Sequence, residues 1–86
     1  MAAARNKSEA IVKFEYEGIQ FEAVRSELES YETNMQLALG GPQFYLAVRR
    51  LFAGRDVEYS KLLGGSFESM TKLVNAAFEA SAKAKN

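Results

Sequence analysis

The chain has 86 residues, enough for one domain, and its 48% hydrophobic and 26% charged residues are the proportions of an ordinary globular protein. Eleven basic residues balance eleven acidic ones, which argues against a dedicated non-specific nucleic-acid binder. The lack of cysteine excludes disulfide staples and thiolate metal sites, so association with another chain is the remaining common way for so small a domain to add core.

Residues 1–9 have no hydrophobic period and read as a frayed tail. No apolar stretch follows Arg5 and Lys7, so the start does not read as a secretory signal, and no run approaches the roughly 20 apolar residues of a membrane span. The expectation is a cytoplasmic protein. Residues 11–24, IVKFEYEGIQFEAV, alternate β-branched and aromatic residues with charges and predict a β-hairpin turning at Glu17-Gly18. A two-residue loop sets Tyr16 against Ile19, Phe14 against Phe21 and Val12 against Ala23 on one apolar face. The other face then pairs Glu15 with Gln20 and Lys13 with Glu22. Slipping the register by one residue sets Phe14 opposite a charge.

Residues 26–39 predict a helix, with Ser26 and Glu29 as a capping box and Leu28, Tyr31, Met35 and Ala38 as its apolar stripe; a longer loop with a start near Thr33 is the alternative. Gly40-Gly41-Pro42 ends it and opens the next helix. There Phe44, Tyr45, Val48, Leu51 and Phe52 form a wide stripe, with Arg49 and Arg50 on the solvated side. Gly54 closes this helix, and Asp56 is expected to cap a shorter one ending at Gly64. Ser66 is a candidate cap for the last helix, 66–82, whose stripe is Phe67, Met70, Val74, Ala77 and Phe78 with Leu73 beside it; residues 83–86 read as loose. The expected fold is α+β and mostly helical: a hairpin followed by about four short helices in a single domain over 10–82.

Little in this chain points to catalysis. It lacks both histidine and cysteine, the commonest general base and the best nucleophile, and Asp56, the sole aspartate, reads as a cap. Glu27, Glu29 and Glu32 read as a solvated acidic turn near a helix start and not as a cation site, which usually adds Asp, Asn and a Gly-bent loop. The Gly-Gly pairs lack the following Lys-Ser/Thr of a phosphate loop. Arg49, Arg50 and Arg55, with Tyr45 and Tyr59 nearby, are a weak nucleic-acid patch, better explained as a solvated helix face. No enzyme, metal site or cofactor is expected.

Three blocks carry a family resemblance. FEYEGIQFEA resembles the N-terminal hairpin of the tail assembly chaperones of long-tailed, siphovirus-type bacteriophages. AVRRLFAGRDVEYSKLL, Ala47 to Leu63, resembles their Arg-containing short-helix block, and SFESMTKLVNAAFEA, Ser66 to Ala80, resembles their closing helix. The resemblance spans roughly residues 11–80. It implies a non-enzymatic role in the host bacterial cytoplasm. The partner would be the tape measure protein, kept soluble while the tail tube polymerises, with the tail tube protein as a further candidate. The chaperone would act as a homo-oligomer and be absent from the mature virion. On this reading Phe67, Met70, Val74 and Phe78 serve as partner-binding surface and Phe14, Tyr16 and Phe21 as self-association surface, in each case shared with the core. Two other classes stay open: a small inhibitor or regulatory module with a single protein partner, and a weak nucleic-acid-binding module.

Overall fold

The computed structural model describes residues 10–85. Strands β1 (Ile11–Tyr16) and β2 (Ile19–Val24) form an antiparallel hairpin in the expected register, Phe14 opposite Phe21 and Lys13 opposite Glu22. Both turn residues, Glu17 and Gly18, have positive φ, 54° and 78°, the conformation a two-residue turn needs to match the right-handed twist of the strands. Five helices follow among the described residues: α1 (Arg25–Leu28), α2 (Tyr31–Leu39), α3 (Pro42–Leu51), α4 (Asp56–Leu62) and α5 (Phe67–Lys85).

The apolar face of the hairpin closes the core from one side. Val12, Phe14, Phe21 and Ala23 meet Phe44, Val48, Leu51 and Phe52 from α3 and its C-cap, and Met70, Leu73, Val74 and Ala77 from α5. Phe21 stands edge-on to Tyr59 of α4 at 4.8 Å between ring centroids, and Tyr59 in turn meets Phe52 at 5.4 Å. These edge-to-face contacts suit the ring quadrupoles. The Tyr59 hydroxyl accepts the Glu22 backbone N–H at 3.3 Å, so the ring's polar end is satisfied at the sheet.

Four elements depart from the sequence reading. First, the helix expected over 26–39 is broken at Glu29-Ser30. Ser30, not Ser26, is the cap that forms, with the Thr33 N–H donating to Ser30 Oγ at 3.2 Å. Asn34 Nδ2 donates to the Leu28 carbonyl at 3.1 Å, across the break, and to the Ser30 carbonyl at 2.7 Å, which also accepts the Asn34 backbone N–H at 3.0 Å. The break lets Leu28 enter the core while Tyr31, Met35 and Ala38 turn outward. Second, α3 buries Phe44, Ala47, Val48 and Leu51; Tyr45, one residue round from Phe44, is exposed. Third, Asp56 makes no side-chain cap to α4 and instead sits 3.6 Å from Arg49. Fourth, α5 continues to Lys85, past the expected end at residue 82, in keeping with the high helix propensity of its alanine-rich close. Its start agrees with the sequence reading, the Ser69 N–H donating to Ser66 Oγ at 3.0 Å. The tail expected over 1–9, and Asn86, lie outside the described residues.

The α3–α4 turn fixes the relative position of the two helices. The Gly54 N–H donates to the Arg49 carbonyl at 2.8 Å and the Ala53 N–H to the Arg50 carbonyl at 3.2 Å, the paired bonds of a Schellman motif. Ala53 therefore occupies the left-handed position, φ 55°, where glycine is usual. The end of α4 repeats the same pair of bonds, with Gly64 at the equivalent place.

Candidate functional site

Two features stand out once the core is assigned. The first is a groove of about 550 Å³ between α3, α4 and the start of α5. Phe44 and Met70, both buried, form part of its wall, and the exposed side chains of Tyr45, Val57 and Phe67 line it. The Gly64–Gly65 turn brings the first residue of α5 beside α3. The Phe67 ring therefore lies 5.0 Å from Phe44 and 5.9 Å from Tyr45, and these two rings are themselves 5.9 Å apart. Phe67 is 55% exposed despite these contacts. Asp56 and Lys61, of opposite sign, also line the groove.

The second feature is a polar cluster where α1, α2 and α3 meet. Arg50 lies on α3 and reaches across to α2, contrary to the expectation that it faces solvent. Its Nε lies 3.4 Å from Glu27 Oε1, and its Nη2 donates to Thr33 Oγ1 at 3.2 Å and to Gln36 Oε1. Thr33 Oγ1 donates to Glu27, and Gln36 Nε2 donates to Gln43 Oε1 at 2.9 Å. Thr33 and Gln36 are both buried, so one face of α2 turns polar side chains toward the protein, while Glu32 and Asn34 are exposed. Glu27 thus belongs to this cluster and not to a solvated acidic turn.

The three arginines of the candidate nucleic-acid patch each have an acidic neighbour. Arg49 stands by Asp56, Arg50 by Glu27, and Arg55 Nη1 lies 3.9 Å from Glu22. Arg55 is also held above its ordinary pKa, chiefly by its side-chain hydrogen bond to Tyr59, with the Glu22 carboxylate adding to the effect. Among the described residues no group of three or more His, Cys, Asp or Glu is placed to hold a metal ion.

Comparisons with protein-family models, with curated proteins and with solved structures returned no match.

The residues expected to carry contacts are distributed unevenly. Met70 and Val74 are buried in the core, Phe78 is half-buried against it, and Phe67 alone of the four is exposed. On the hairpin, Phe14 and Phe21 are buried and Tyr16 is half-buried at the edge of the core. In this conformation the hairpin face is therefore occupied by the chain's own helices, because two strands without a packed face are unstable alone. Tyr45 and Val57, which complete the groove, were not expected as contact residues. The Arg50 cluster had a legible trace: Thr33 and Gln36 are three residues apart, the spacing of one helix face.

Proposed function

We propose that this chain is a non-enzymatic tail assembly chaperone, which binds the tape measure protein and keeps it soluble in the bacterial cytoplasm while the tail tube forms. One observation carries the reading. The groove walled by Tyr45, Val57 and Phe67 leaves aromatic and aliphatic side chains open to solvent on a chain that otherwise has a well-formed core. A rigid apolar groove with charges of both signs at its margin suits the apolar stripe of a client helix, inserted at i, i+3, i+4 and i+7. Aromatic side chains give such a site large contact area at small entropic loss.

Protein is a better fit than nucleic acid as the partner, because Arg49, Arg50 and Arg55 already face carboxylates. Among the described residues no helix is long and apolar enough to cross a membrane. The absence of histidine and cysteine from the sequence agrees with a binding role.

The test is co-expression with the tape measure protein encoded by the same genome, reading the soluble fraction of that client. The native chain should raise it, and Phe67→Ser should remove the gain while leaving the chaperone folded. A client that stays insoluble beside the native chain, or that Phe67→Ser rescues equally well, overturns the proposal.

A further inference from the structure

Helix α2 turns most of its apolar side chains away from the core. Its buried residues are Thr33 and Gln36, held by the Arg50 cluster. Of its four large apolar side chains, Leu37 packs against the core, while Tyr31, Met35 and Leu39 are 84%, 41% and 67% exposed. They stand at i, i+4 and i+8, one continuous stripe on the outer face. A surface helix normally turns such a stripe to the core. Leu46 of α3, also exposed, lies on the Gln43–Arg50 row, whose two ends bond to α2. Charge is missing from the same region: no charged residue stands between Glu32 and Arg49, in a chain where a quarter of all residues are charged. Depletion of charge with exposure of Tyr and Met is the composition of an interface core, and the two leucines add apolar area.

We infer that this outer face of α2 is the surface through which two copies of the chain pair, with their α2 helices antiparallel about a two-fold axis at Met35. The stripe is self-complementary under that operation. Met35 meets its own counterpart, and Tyr31 of each copy covers Leu39 of the other, as an isologous contact requires. Glu32, the only charge on α2, lies at one end of the helix, so antiparallel pairing keeps the two glutamates apart. A formal net charge of zero removes long-range repulsion between copies.

Area sets the strength. Tyr31, Met35, Leu39 and Leu46 offer on the order of 500 Å² per copy, so pairing would bury about 1,000 Å² in total, the low end for a specific interface. The expected species is a concentration-dependent dimer and not an obligate one. This pairing moves self-association away from the hairpin face, which the core occupies, and leaves the groove at Phe67 free. It does not depend on the identity of the client.

The experiment is sedimentation equilibrium of the full chain over a concentration series, with Met35→Lys and Met35→Cys beside it. The native chain should shift from the mass of one copy to that of two. Met35→Lys should hold the one-copy mass across the series with an unchanged far-ultraviolet spectrum. The chain has no native cysteine, so Met35→Cys should form a covalent dimer in oxidised glutathione while Leu62→Cys, exposed on α4, does not. A native chain of one-copy mass throughout overturns the inference. So does a dimer that survives Met35→Lys, or cross-linking that is no faster at position 35 than at 62. Client rescue by a one-copy Met35→Lys variant would separate this result from the fate of the chaperone reading.

Discussion

Replacing Arg50 by alanine should loosen one helix of this protein more than the rest. The guanidinium supplies a charged contact to Glu27 and donates to Thr33 and to Gln36. Hydrogen bonds to charged groups contribute roughly 1.5–3 kcal/mol each when well shielded, and a buried acceptor left without its donor adds its own desolvation penalty. Here the Arg50 side chain is 37% exposed and Glu27 26% exposed. Water can therefore replace part of what is lost, and we expect a net cost of about 2 kcal/mol for the whole cluster. In an 86-residue chain that lowers the melting temperature by roughly 8–16 °C. Urea denaturation followed by circular dichroism measures the total. Hydrogen exchange locates it: amides of α2 should lose protection more than those of α5, because polar contacts hold much of α2 in place. Lys72→Ala is the control. Its side chain is 60% exposed and its partner Glu68, at 3.5 Å, is 80% exposed, so about 0.5 kcal/mol or less is expected. If Arg50→Ala falls within that same margin, the cluster does not hold α2 as described.

Three other outcomes follow from the same geometry. Ala53→Gly should stabilise the protein. The left-handed conformation at Ala53 (φ 55°) costs a non-glycine residue roughly 1–2 kcal/mol. The greater freedom of glycine in the unfolded chain offsets roughly 0.5–1 of this, so a rise of a few degrees in melting temperature is expected; no rise, or a fall, contradicts the assignment. Leu73→Ala removes a side chain with no exposure from the centre of the core. It should cost about 2–5 kcal/mol, a large share of the margin of a domain this size, measurable as a drop in urea midpoint. Phe67→Ser, by contrast, should change the unfolding free energy read from urea denaturation by less than about 1 kcal/mol, since its ring is more than half exposed.

The hairpin was legible in the sequence because its period is two. One register gives an apolar face and an opposite-charge pair, the next puts Phe14 against a charge, and the structure has the first. The core positions of α5 and most of those of α3 were legible for the analogous reason at period 3.6. The region from Ser26 to Leu39 was not, because two serine caps compete there. The capping box at Ser26-Glu29 is the better local signal, yet only the break at Ser30 admits Leu28 to the core while Thr33 and Gln36 reach Arg50. That choice is decided by contacts from α3, distant in sequence, and tertiary contacts routinely override such local preferences. The groove was half legible. Phe67 carries the right spacing for the last helix's stripe, but its position as the first residue of α5 lifts it out of the core toward Tyr45.

The most direct measurement is an amide chemical-shift map of the labelled chain as a helical, apolar-striped segment of the tape measure protein is added. Shifts concentrated at Phe44–Val48, Val57–Lys61 and Phe67–Met70 are expected if the groove receives the client. No shifts at saturating segment, or shifts confined to other faces of the molecule, would contradict it.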